Sequence, residues 1–321
     1  MKRTAALLCA LLLLLSGCAP TAAPRENELV ILATTYPVYL LTCAVVQDVD
    51  GVRVERLNTG SVSCVHDYTL SVSDMKKIEQ ADILALSGAG LEDFMGDALA
   101  ASSAAVIDCS AGVELLVSAD HAEHEHEHEH HEHDHGHFDP HYWLDPASAA
   151  HMTQALLDGL LPRLNTNAPQ LTANAQRTRA LLLECSAGLH TLRAQTDSLP
   201  GLITFHDGFA YLAHACGVTV LRAIEEEAGS EASARDIVEV SALVREQAIP
   251  LVFTEINGSD ATARVIARET GCALGQLSTL MDGPAADKLL CPPEQHYVNE
   301  ILTNAASLVN GLAGREVVSL P

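Results

Sequence analysis

Residues 29–57 read LVILATTYPVYLLTCAVVQDVDGVRVERL: a short apolar run, LVILAT, an amphipathic stretch opened by Pro37, and a second run, VRVERL. Apolar runs this short, bounded by turn signals, have the length of buried strands rather than helices. Proline fits the first turn of a helix, where its missing N–H leaves no bond unmade. The stretch therefore predicts a strand over 29–34, a helix over 38–47 and a strand over 52–57. The alternation continues. SVSDMKKIEQA (71–81) opens on a Ser cap and reads as a helix, DILAL (82–86) as a strand, 91–100 as a helix and AAVID (104–108) as a strand. Strands alternating with helices make a largely parallel sheet covered on both faces.

At Asp145-Pro146 the period changes. Residues 147–164 are helical in pattern, 165–169 break it, and 170–196 form one long helix, roughly 40 Å at 1.5 Å per residue. After Leu199-Pro200-Gly201 the βα alternation resumes, with strands at 202–205, 218–221, 250–255 and 273–277 and helices at 208–216, 233–247, 261–271 and 293–312. The expectation is α/β throughout: two parallel-sheet lobes, 29–145 and 200–321, joined by a helical segment, 146–199, whose long helix holds them together. About 300 residues after the leader exceed a comfortable single core, which agrees with two domains.

Between the lobes' ligand-bearing loops lies DHAEHEHEHEHHEHDHG, residues 120–136, in a loop that runs to 137. It carries nine imidazoles, at His121, His124, His126, His128, His130, His131, His133, His135 and His137. Neutral imidazole is the commonest protein ligand for zinc, and interleaved carboxylates offset the metal's charge without forming a core, so the run reads as an auxiliary metal loop. Overall, 42 acidic side chains face 18 basic ones, a net charge of -24, which excludes nucleic acid as a partner and suits a cation-binding surface.

The first residues set the compartment. Lys2 and Arg3 precede an apolar stretch from Thr4 to Leu15, too short to span a bilayer permanently, and so read as a signal peptide over 1–17. Leu15-Ser16-Gly17-Cys18 resembles a bacterial lipobox, which implies cleavage before Cys18, acylation of that thiol, and residues 18–28 as a tether from the membrane. The chain is then extracytoplasmic and lipid-anchored. Seven cysteines remain beyond Cys9 and Cys18, an odd number without a CxxC pair, so most read as small buried hydrophobes; Cys272 and Cys291 are the pair to test for a bridge.

Four loop positions stand at strand ends, two from each lobe: His66 after the second strand, His141 in DPHYWLDP, His206 directly after LITF, and Asp282 after the last strand. Each histidine alone is ordinary, but three imidazoles and a carboxylate converging on a cleft would satisfy tetrahedral zinc. Cys64 and Val65 precede His66, and Cys64 is near enough in sequence to approach the same cation.

These motifs, together with TTYPVY, HDYTLSVSDMKKIEQADILALSGAGLE, TFHDGFAYLA, SARDIVEV, FTEIN and Tyr297 spaced seven from Asn304, make the chain similar to the cluster A-I, ZnuA-like zinc-binding lipoproteins, over residues 29–312. That resemblance implies a monomeric solute-binding protein that takes zinc (Zn2+) between two lobes and passes it to a metal ABC permease and its ATPase. It implies His66, His141 and His206 as ligands with Asp282 as the matching carboxylate, a position water could fill instead. Histidine at the third position favours zinc, whereas manganese-binding relatives commonly have Glu there, which agrees with the preference of carboxylate oxygen for manganese. Three other readings stand beside it: a manganese or other divalent-metal carrier, a metal-sequestering adhesin without a permease, and a zinc metallohydrolase. The last would need an open metal position and a nearby general base. Outside the 120–137 histidine run no HExxH motif is present, and Glu255 in FTEIN reads as a structural acid at a strand end.

Overall fold

A computed structural model describes residues 28–57, 68–117, 138–196, 198–225 and 232–318. The leader with Cys18, the segment holding Cys64 and His66, and all nine histidines of the 121–137 run lie outside the described residues. Among the described residues, eight strands form two parallel sheets of four. Strands β1 (Leu29–Ala33), β2 (Val52–Arg56), β3 (Ile83–Leu86) and β4 (Ala105–Asp108) lie in the order β2-β1-β3-β4. Strands β5 (Leu202–His206), β6 (Val220–Glu225), β7 (Leu251–Glu255) and β8 (Ala273–Leu277) lie in the order β6-β5-β7-β8. The two sheets thus share one topology, with its switch point between β1 and β3 in the first lobe and between β5 and β7 in the second. Crevices at the carboxyl ends of such strand pairs are where open α/β sheets bind ligands.

Nine described α-helices accompany the strands: α1 (Tyr36–Val45), α2 (Val72–Gln80), α3 (Gly96–Ala101), α4 (Pro146–Leu160), α5 (Ala168–Thr196), α6 (Ala210–Cys216), α7 (Ala234–Glu246), α8 (Ala261–Thr270) and α9 (Pro293–Ala313). Local chemistry explains several starts. Ser71 and Ser233 each close a capping box, with Asp74 and Asp236 respectively, and Asp145 accepts the Ala147 N–H while Pro146 takes the first turn of α4. The strand expected at 218–221 instead runs 220–225. Gly217 ends α6 in the left-handed region at φ 72, Val218 and Thr219 are spent on the turn, and the register shifts between Leu202 and Ile203, so that His206 pairs with Glu225.

Alternation along the strands sorts the core. Ile31, Ala33, Leu202, Leu251 and Phe253 face a continuous apolar cluster shared by both lobes, α1, α4, α5 and α9. Leu32 and Leu84 face a smaller outer cluster with Ile78 and Met95, while Ile203, Phe205 and Val252 face another with Val240 and Ile266. One apolar cluster is therefore shared between the two lobes. Helix α5, 29 residues long, supplies the spine, burying Leu171, Ala175, Thr178, Leu182, Cys185 and Leu189 along one stripe. On it, Asn174 donates to the carbonyls of Val45 and Gln47 at the end of α1, and Arg177 meets Glu294 in the first turn of α9 at 3.2 Å. Cys272 and Cys291 are both free, so the bridge considered between them does not form; burial pushes the thiols of Cys43 and Cys185 up to about 12, as inert core groups behave.

At the first lobe's switch point the crevice is filled by the protein's own Glu92. Its carboxylate accepts from Ser87 N at 2.7 Å, Gly88 N at 2.9 Å and the Thr34 hydroxyl, and burial raises it to about 7. The second lobe's switch point is where the candidate ligands stand.

Candidate metal centre

His206 is the last residue of β5 and Glu255 the last of β7, the two strands that flank the switch point of the second sheet. Both strands are buried along their whole length, so these side chains emerge at the crevice from rigid, desolvated supports. His141 arrives from the first lobe in a tight turn that ends at the Asp145 cap of α4. Three buried side chains peg that turn. Tyr142 donates to Ser87 O, the Trp143 indole donates to Thr279 O at 2.8 Å, and the Tyr297 hydroxyl donates to Trp143 O.

The two imidazoles meet edge to face, with ring centroids 4.9 Å apart and planes at 84°. They are 2% and 3% exposed. A Cβ built on Gly208 would lie 3.0 Å from Nε2 of His206 and 3.1 Å from Nε2 of His141, so both nitrogens converge beside that glycine. Each ring is held at its other nitrogen by a buried carboxylate: Nδ1 of His141 by Oδ1 of Asp139, and Nδ1 of His206 by Oε2 of Glu255, both at 2.8 Å. A carboxylate accepting from Nδ1–H assigns the proton to Nδ1 and leaves the lone pair on Nε2, the orientation and basicity a metal ligand needs. Asp139 Oδ2 is buried without a hydrogen-bond partner. Leaving a buried carboxylate oxygen unsatisfied is costly, and a divalent cation close by would offset that charge.

The other expected ligands are placed differently. His66 lies outside the described residues. Asp282 is one-third exposed; among the described residues its contacts go to Gly283 N at 2.7 Å and Arg56 at 3.7 Å, not to the two imidazoles. Arg56 also donates to Gly283 O at 3.2 Å and stacks over the Tyr36 ring at 4.9 Å. Tyr36 and Tyr39 then bond Pro284 O and Ala286 N, pinning this segment across the first lobe. Gly283 is required there, because a Cβ would come within 2.3 Å of the Tyr36 ring. No third His, Cys, Asp or Glu joins a metal-competent group among the described residues. The ends of the histidine loop meet in an antiparallel bridge between Val117 and Phe138, immediately before Asp139.

Two residues of the candidate centre escape a reading of the sequence alone. Glu255, read there as a structural acid, holds His206 from 49 positions away. Gly208 gives the two Nε2 atoms their space, which no spacing rule reveals. Asp139 had a visible signal, since it stands two residues before His141 and also caps that residue's N–H at 2.8 Å.

Residues 31–311 match the family model described as ZnuA, zinc-uptake complex component A, periplasmic. The zinc-binding protein AdcA of Streptococcus pyogenes is 25% identical over 304 residues, 91% of this chain and 58% of its own length. The zinc-binding lipoprotein AdcA of Streptococcus pneumoniae is 26% identical over 287 residues, 87% of this chain and 56% of its own length. The chain thus spans little more than half of these curated relatives. A Zn(II)-bound mutant variant of AdcAII from Streptococcus pneumoniae shares the fold with a TM-score of 0.73 at 24% identity, covering 88% of this chain and 99% of that one. With a family model matched along nearly the whole described chain, this protein belongs to the ZnuA family of zinc-uptake complex components.

Proposed function

We propose that this chain is an extracytoplasmic solute-binding lipoprotein that captures zinc between its two lobes and hands it to an ABC-type permease and its ATPase. One observation carries the reading: two imidazoles, one from each lobe, bring their Nε2 atoms together beside Gly208 while buried Asp139 and Glu255 hold both Nδ1 atoms. Nitrogen donors of this kind suit zinc better than manganese, which prefers oxygen. His66 and Asp282 complete the proposed set. Asp282 would have to leave Arg56 to join, and a water is the alternative fourth ligand. Cys18 is the proposed lipid anchor and the 121–137 histidines a weaker, multiple-site store; the periplasmic family and a relative named as a lipoprotein support the location. Capture and release also fit the site better than hydrolysis, since both carboxylates beside the imidazoles are occupied in orienting them and neither is placed as a general base.

The test is zinc binding by the full chain, by His141→Ala and His206→Ala, and by a chain lacking 121–137, each titrated in competition with a chelator and with manganese. The intact chain should hold one tight zinc equivalent plus several weak ones. Either alanine variant should lose the tight equivalent, and the loop deletion should lose only the weak ones. Retention of the tight equivalent by both alanine variants, or its disappearance with the loop, overturns the assignment.

A further inference from the structure

The turn between β8 and α9 contributes Thr279, which bonds in two directions. Its hydroxyl donates to Oε1 of Glu255 at 2.5 Å, while Oε2 of the same carboxylate holds Nδ1 of His206. Its carbonyl accepts the indole N–H of Trp143 at 2.8 Å, and the Trp143 ring lies 5.3 Å from that of His141. A closed circuit therefore runs from His206 through Glu255, Thr279 and Trp143 to His141 and back across the imidazole pair, and no member is more than 3% exposed. A carboxylate anchored through one oxygen can still turn about its last carbon–carbon bond. Anchoring the second oxygen stops that rotation, and among the described residues Thr279 is the donor Oε1 has. The next residue, Leu280, is held at φ 59, a conformation uncommon for a residue with a side chain, and its N–H returns to Ser278 Oγ at 3.1 Å. That turn keeps Thr279 facing inward.

We propose that Thr279 is a positioning residue that couples the Trp143 contact between the lobes to the orientation of His206. Cation affinity at the imidazole pair then depends on a hydroxyl that touches neither ring. The inference rests on the reading of His141 and His206 as ligands.

The experiment compares Thr279→Val, which keeps the shape and removes the hydroxyl, with Thr279→Ser, which keeps the hydroxyl, in the full chain. Chelator competition at sub-stoichiometric zinc reads the tight site, and the visible bands of bound cobalt(II) read its geometry. Removing a direct partner of a ligating imidazole lowers metal affinity about 10- to 100-fold, so a partner one bond further out should cost roughly 3- to 10-fold. The valine variant should show that loss, a faster zinc off-rate and shifted cobalt bands. The serine variant should restore all three. In a Glu255→Gln background the Thr279→Val change should add little further loss, which a merely structural role would not produce. If the valine variant fails to fold, Thr279→Ala carries the same comparison. Zinc affinity and cobalt bands unchanged by loss of the hydroxyl, with His206→Ala still losing the tight equivalent, overturn the role of Thr279 alone. A His206→Ala chain that keeps the tight equivalent overturns the ligand reading and this inference together.

Discussion

Replacing Gly208 with Ala is the sharpest single probe of the centre. The backbone at Gly208 is not in the left-handed region, so alanine can adopt it, and the new methyl would lie 3.0 and 3.1 Å from the two Nε2 atoms. Carbon and nitrogen in ordinary contact sit roughly 3.5 Å apart, so the rings of His206 and His141 must yield by about 0.5 and about 0.4 Å respectively. Zinc–imidazole bonds are about 2.0–2.1 Å and tolerate errors of about 0.2 Å. The rings cannot drift freely to restore them, because Asp139 and Glu255 hold the opposite nitrogens at 2.8 Å. Affinity for zinc should therefore fall by about 10- to 100-fold, or about 1.4–2.8 kcal/mol. Stability without metal should change by less than about 1 kcal/mol, since the stiffer unfolded chain contributes about 0.4–1 kcal/mol that offsets the local crowding. Chelator competition at the tight site reads the first quantity and urea unfolding of metal-free protein the second. Wild-type affinity in a folded Gly208→Ala chain would refute the reasoning, because the cation could not then be held between those two nitrogens.

Three further outcomes are expected. His206→Glu should move the zinc-to-manganese affinity ratio about tenfold or more toward manganese in competitive calorimetry, an oxygen donor replacing imidazole, whereas an unchanged ratio would put His206 outside the coordination sphere. Glu92, raised by burial from 4.5 to about 7, binds its proton more tightly folded than unfolded. The stability this contributes is complete below about pH 4.5 and is lost as pH rises through 7, roughly 3 kcal/mol in all at 1.36 kcal/mol per unit. Urea unfolding at pH 5 and pH 8 should show wild type losing most of that amount relative to Glu92→Gln, and parallel pH profiles would refute it. Asp282→Asn removes only a partly exposed ion pair and should cost under about 1 kcal/mol of stability. If Asp282 is the fourth ligand, the same change should weaken zinc at least about tenfold; an undiminished affinity would hand that position to water.

Much of this was legible in the order of the residues. The apolar runs and helical periods of 29–57 and its counterparts located the strands, Ser71 and Asp145-Pro146 marked helix starts, and His206 was visible as a ligand candidate because it directly follows LITF. Such features depend on bonds between residues a few positions apart. Other features needed the folded chain. Which strands become neighbours is settled by how the crossovers pack, and that order set β5 beside β7 and so put Glu255 against His206. The apolar surfaces of both sheets merge on α5 into one core, because each sheet has an inner face that only the other elements can cover. The same closure carried Asp282 to Arg56 and Thr279 to Trp143, contacts spanning 226 and 136 positions. Sequence therefore determined the secondary elements and the residue types able to bind a cation. Tertiary structure alone decided which carboxylate orients which imidazole, since a hydrogen bond is specified by position in space and not by separation along the chain.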